Sequence, residues 1–90
     1  MPTRRLCIIN KLGLHARAAA KFVGLASRYG SEVRIGTSEE QQVDGKSIMQ
    51  VMMLAAGKGT DVWVTCEGAD ADQALEALAA LIDDYFEEGE

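Results

Sequence analysis

Between Asp61 and Phe86 the spacing of apolar residues switches from every second position to every third or fourth, and this switch restricts the folds open to the chain. Val62, Val64 and Cys66 alternate with Trp63 and Thr65, the pattern of a strand with one buried face. Asp70, followed at the third residue by Gln73, then opens a helix. Its stripe of Ala71, Ala74, Leu75, Leu78, Leu81, Ile82, Tyr85 and Phe86 suits packing on a sheet, and its other face is acidic. A half-apolar strand leading into a striped helix calls for two layers, helix on sheet.

The same reading extends upstream. Arg4 to Ile9 reads as a first strand, and from Ala16 to about Arg28 the residues Ala19, Phe22, Val23 and Ala26 recur at helical spacing, with Gly30 as the stop. Ser31 to Ile35 alternates as a second strand, and Gln41 to Val43 returns as a brief third. Ser47-Ile48-Met49-Gln50 matches a capping box, in which Ser47 and Gln50 side chains each bond the other's backbone N–H, and a short helix should run to about Ala55. The order strand, helix, strand, strand, helix, strand, helix implies an α+β fold with helices on one face of an antiparallel sheet. Ninety residues with 48% hydrophobic content bound the chain to one domain, residues 1–90.

Net charge is −5 but unevenly placed: up to Ile35 there are seven Arg or Lys and one acid, and from Gly36 onward two Lys and thirteen acids. Overall acidity argues against nucleic-acid binding, whereas a local basic patch suits a phosphate or an acidic partner. The four apolar residues Leu6 to Ile9 are too few for a secretory signal, and no run could span a bilayer, so a cytoplasmic protein without membrane contact is expected. Cys7 and Cys66 lack any metal-ligand spacing. Strand alternation puts them on opposite faces, so no disulfide is expected.

The only histidine lies in Asn10-Lys11-Leu12-Gly13-Leu14-His15-Ala16-Arg17-Ala18, where a loop enters an alanine-rich helix. A lone histidine is usually a solvated surface residue, and here the neighbours raise its weight. Histidine is not a favoured helix cap. Arg17, in the first turn, opposes the positive end of the helix dipole at a cost of roughly a few tenths of a kcal/mol. An arriving anion would relieve both mismatches. The helix start also disfavours imidazolium, which leaves an uncharged nucleophilic ring. Phosphate oxygens held there would accept hydrogen bonds from the Ala16, Arg17 and Ala18 N–H groups and from the Arg17 guanidinium, with no metal or cofactor required.

Two near-motifs fail. Asp44-Gly45-Lys46-Ser47 resembles the end of a nucleotide-binding P-loop, but Glu40 stands where the first glycine is needed; in Gly57-Lys58-Gly59, Gly59 replaces the required Ser or Thr. Ile48, Met49, Met52 and Met53, with Val51 and Leu54, exceed what one face of a two-turn helix can bury, so an uncovered Ile48 and Met49 would form an adaptable docking patch.

Gly13-Leu14-His15-Ala16-Arg17, Lys46-Ser47-Ile48-Met49 and Gly57-Lys58-Gly59 together resemble the histidine-containing phosphocarrier family, HPr, of the bacterial phosphotransferase system, over essentially the whole chain. The stretch from Asn10 to Arg17 and the acidic C-terminal helix look closer to its nitrogen-related branch, NPr. The resemblance implies an open-faced β-sandwich: a four-stranded antiparallel sheet of order 1-4-2-3 with three helices on one face. It implies that His15 accepts a phosphoryl group at Nδ1 from phospho-enzyme I and passes it to a IIA-type protein, with Arg17 steadying the phosphate. It further implies regulatory phosphorylation of Ser47 by an HPr kinase/phosphorylase, a partner-binding face of Arg17, Lys21, Ile48, Met49 and Met52, and a monomer. One departure is Ala18, where the family commonly has proline; another is Gly24 and Ser27, where many sugar-branch members carry lysines. The first alternative is a non-phosphorylated binding or allosteric module using the same face. An enzyme using His15 as general base ranks last, because no acid or nucleophile is evident beside it in the sequence.

Overall fold

A computed structural model describes residues 2–88. The strands are β1 (Thr3–Cys7), β2 (Glu32–Gly36), β3 (Gln42–Asp44) and β4 (Asp61–Glu67), and the helices are α1 (Ala16–Ala26), α2 (Ile48–Met53) and α3 (Ala71–Asp83), followed by a 3-10 turn at Tyr85–Glu87. The sheet order is β1-β4-β2-β3 with every pair antiparallel, and the helices pack on one face of it. The order 1-4-2-3 and the open-faced sandwich are those the resemblance implied.

Alternation decides which face is covered. Val33 and Ile35 from β2 and Val62, Val64 and Cys66 from β4 are buried against Ala19, Phe22, Val23, Val51, Leu75, Leu78 and Ile82. On the open face the Thr3 and Thr65 hydroxyls lie 2.9 Å apart in register, and Trp63 is half-buried. Cys7 is exposed and Cys66 buried, both as free thiols. Burial pushes the Cys66 thiol up and the Asp70 charge adds to it, against an opposing pull from Lys46.

Element ends depart from the sequence expectation for identifiable reasons. β1 stops at Cys7 because Ile8 N–H donates to the Thr60 carbonyl at 2.9 Å, pairing with a loop instead of a strand. α1 stops at Ala26, after which Arg28 and Tyr29 bond back only three residues, to Leu25 and Ala26, as a helix does when it tightens and ends. The capping box is half formed. Ser47 Oγ accepts from Gln50 N–H at 3.3 Å, but the Gln50 side chain accepts from Asp44 N–H, and Ser47 N–H goes to the Asp44 carbonyl.

Asp70 likewise does not cap α3. Its carboxylate accepts from Gly30 N–H at 3.0 Å, Ser31 N–H at 2.9 Å and the Ser31 hydroxyl, tying the α1–β2 connection to the start of α3. At the other end α3 breaks at Asp84, short of the expected Phe86. Tyr85, Phe86 and Glu87 take φ of +57°, +53° and +65°, so Phe86 is fully buried while Tyr85, expected inside, turns outward.

Candidate functional site

The loop that delivers His15 is pinned on both sides. Asn10, fully buried, donates from Nδ2 to the Gly13 carbonyl at 2.8 Å, and Gly13 N–H returns a bond to the Asn10 carbonyl at 3.2 Å. Leu14 N–H donates to the Ala56 carbonyl at 2.8 Å while its side chain enters the core. Gly13 has φ of +67°, and a Cβ there would stand 2.5 Å from the Ala56 oxygen and 2.7 Å from Gly57 Cα. Only glycine fits that approach.

The chain then enters α1 through His15, in extended backbone with no side-chain capping bond, so the imidazole is free to serve something other than the helix. Ala19 N–H donates to the His15 carbonyl at 2.8 Å as the first bond of the ladder. The N–H groups of Ala16, Arg17 and Ala18 come before it. The imidazole is partly exposed in a cleft of about 700 Å³ lined by Lys11, Leu12, Ala16, Arg17, Lys21 and the two acids of Glu87-Glu88. Arg17 is exposed, and no acceptor among the described residues pairs with it. Lys21 is engaged: its ammonium donates to the Phe86 carbonyl at 2.9 Å and lies 3.6 Å from Glu87.

Sequence reasoning missed Glu88. Its Oε2 lies 2.6 Å from His15 Nε2, and its Oε1 accepts from Asn10 Nδ2 at 3.1 Å. Burial pushes the Glu88 carboxyl up, but the Asn10 and His15 hydrogen bonds and the nearby Lys21 ammonium outweigh it and hold the group below its ordinary value. An acid therefore does stand beside His15. The only hint in the sequence was an acidic end opposite a basic half.

α2 presents Ile48, Met49, Met52 and Met53 to solvent, Met49 with 76% and Met53 with 78% of its surface exposed. Val51 alone of this helix is fully buried. The chain beyond α2 reaches Ala56, which holds Leu14, so this apolar surface flanks the His15 loop. Leu12, unremarked in the sequence, is exposed in the same neighbourhood. Ser47 stands at the far end of α2 and is half-buried.

An open-faced sandwich with a histidine at a helix mouth, amides ahead of the hydrogen-bond ladder and an uncommitted arginine defines the class of small phosphocarrier domains. Residues 2–84 match the family model described as "PTS HPr component phosphorylation site". The chain is 62% identical to phosphocarrier protein HPr of Pseudomonas aeruginosa over the full length of both. It is 42% identical to phosphocarrier protein NPr of Shewanella violacea, across 94% of this chain and 92% of that protein. A crystal structure of HPr-C-His from Thermoanaerobacter tengcongensis matches with a TM-score of 0.91 and 40% identity over 98% of each chain. The chain belongs to the HPr family, the phosphocarrier proteins of the bacterial phosphotransferase system.

Proposed function

We propose that His15 is the phosphoryl acceptor, taking the group from phospho-enzyme I and passing it to a IIA-type protein, within a single cytoplasmic, monomeric phosphocarrier domain. The observation that carries this is His15 itself: partly exposed, at the extended N-cap of α1, at a helix start whose first three amides lie ahead of the hydrogen-bond ladder. Arg17 supplies the mobile cation that follows the phosphoryl group in and out. The Ala16, Arg17 and Ala18 amides receive its oxygens; Ala18, in place of proline, adds one of these donors. Arg17, Lys21, Ile48, Met49 and Met52 form the docking face for donor and acceptor proteins, with Lys21 reaching it from its tether on the C-terminal turn. Membrane contact is no part of this reading, and no helix among the described residues is long and apolar enough to cross a membrane.

Incubation with enzyme I and phosphoenolpyruvate should add one acid-labile, alkali-stable phosphoryl group. Full labelling of His15→Ala would refute the assignment. We assign the relay to the nitrogen-related branch on the Asn10–Arg17 stretch and the acidic C-terminal helix. The alternative is the sugar branch, since relatives of both names match, an HPr at 62% and an NPr at 42% identity. Side-by-side phosphorylation by the two types of enzyme I separates them. Ser47 is assigned as a regulatory target of an HPr kinase/phosphorylase, on its place as the cap of α2 and on the family likeness.

A further inference from the structure

We propose that Glu88 is a positioning residue: its carboxylate holds the hydrogen of His15 on Nε2, leaves the lone pair at Nδ1, and balances the charge the ring acquires on phosphorylation. The inference rests on His15 being the acceptor.

A neutral imidazole carries one N–H and one lone pair, and an ionised carboxylate can only accept. At 2.6 Å from Glu88 Oε2, Nε2 is the nitrogen that bears the hydrogen, so the nucleophilic electron pair lies on Nδ1. The carboxylate is itself held. Its second oxygen accepts from Asn10, the same buried side chain that fixes Gly13, so one residue sets both the loop under His15 and the group behind it.

The backbone that brings Glu88 there is unusual. Tyr85, Phe86 and Glu87 are three consecutive non-glycine residues in the left-handed region, a conformation L-residues disfavour and which needs support. Support comes from the fully buried Phe86 ring and from the Lys21 ammonium on the Phe86 carbonyl. A chain end anchored by a core aromatic and a lysine, against its own local preference, is a built element.

In the transfer step the Nδ1 lone pair forms a bond to phosphorus, and the bond from phosphorus to the donor atom breaks with its electrons leaving on the donor. Nε2 keeps its hydrogen. The ring gains one positive charge, and the Glu88 contact changes from a neutral N–H to a cationic N–H donating to a carboxylate. That contact is stronger in the transition state than in the ground state, the condition for raising a rate.

The test begins on the unphosphorylated chain, by nitrogen-15 NMR of the imidazole at neutral pH. The wild type should show the Nε2–H tautomer in excess, Glu88→Ala should lose the preference, and Glu88→Gln, whose amide oxygen still accepts, should keep it. With phospho-enzyme I, Glu88→Ala should lower kcat/KM by about tenfold, or about 1.4 kcal/mol. Glu88→Gln should also be slow, because it lacks the charge, and Glu88→Asp should recover part of the rate. Unchanged tautomer populations with unchanged rates in Glu88→Ala would overturn the proposal, as would faster labelling, which would make the contact a brake. Wild-type labelling of Glu88→Ala with no labelling of His15→Ala would remove Glu88 and leave the carrier reading intact; labelling of His15→Ala would remove the carrier reading itself.

Discussion

Gly13→Ala is the most informative single change, because the position of His15 rests on a residue that touches nothing chemical. At φ of +67° an L-residue pays about 1–2 kcal/mol in backbone strain. The added methyl also arrives 2.5 Å from the Ala56 oxygen and 2.7 Å from Gly57 Cα, both backbone atoms, so the 54–57 segment must retreat. Retreat stretches the Leu14–Ala56 bond, worth a further 0.5–1.5 kcal/mol or so. The sum is about 1.5–3.5 kcal/mol, and at roughly 4–8 °C per kcal/mol for a domain of this size the midpoint should fall by about 6–28 °C. Urea unfolding with unchanged slope is the assay. Gly24→Ala is the matched control: it lies inside α1 with nothing within 4 Å of a new Cβ, so it should stabilise by about 0.5–1 kcal/mol. A Gly13→Ala cost below about 0.5 kcal/mol, or the same sign in both variants, would refute the reasoning. Phosphoryl acceptance should fall in Gly13→Ala at temperatures where it is still folded, because the loop carrying His15 has moved.

Two other outcomes follow from the hydrogen bonds at the starts of α3 and α2. The Ser31 hydroxyl, then the Gly30 and Ser31 amides, hold the Asp70 carboxyl below its ordinary 3.8 against the opposing effect of burial. A carboxyl depressed in the folded state contributes stability that is complete above its unfolded value and is lost as pH falls through the folded one. Urea unfolding should therefore show Asp70→Asn weaker than wild type near neutrality, with the gap closing only below about pH 4; a gap constant down to pH 2 would contradict this. Ser47→Ala removes the acceptor for Gln50 N–H and should cost about 1 kcal/mol by the same assay, as well as abolishing any label that an HPr kinase places on the chain.

Faces were legible in the sequence, and long-range partners were not. Val33, Ile35, Val62, Val64 and Cys66 fell on the buried side because alternation is a local property that the sheet preserves. His15 and Arg17 could be singled out for a similar reason: both are wrong for a helix start taken alone, and the mismatch is visible within three residues. Asp70 was correctly placed before α3 but wrongly partnered, since its ligands Gly30 and Ser31 lie 40 and 39 residues away. Gln50 turned from Ser47 to Asp44, only six residues back, where the end of β3 meets the start of α2. Nothing between Asp83 and Glu88 signals a left-handed turn; no glycine stands there, and the apolar stripe runs on through Tyr85 and Phe86. Packing of Phe86 in the core overrides local preference, so the acid that reaches His15 is invisible until the chain is folded.

Two opposed fields meet at the imidazole, and their opposition suits a protein that must surrender what it accepts. The amides of Ala16 to Ala18 favour negative charge at the helix start, and Glu88, against Nε2, favours positive charge on the ring. A neutral histidine satisfies neither fully. A phosphorylated one satisfies both, with phosphoryl oxygens at the helix start and the charged ring against the carboxylate. Glu88 also repels those oxygens, and this repulsion grows as the phosphoryl group settles on Nδ1 with its full charge, offsetting part of the attraction to the ring. In the transition state the phosphoryl charge is spread and the ring charge is already developing. Glu88 thus stabilises the crossing more than the product. If the proposed role holds, Glu88→Gln slows transfer from the donor and transfer to the acceptor by similar factors, while the equilibrium between them moves less than either rate. Rapid-quench measurement of both directions decides it: a large equilibrium shift with one rate untouched would mean that the carboxylate acts on the phosphoryl group and not on the ring.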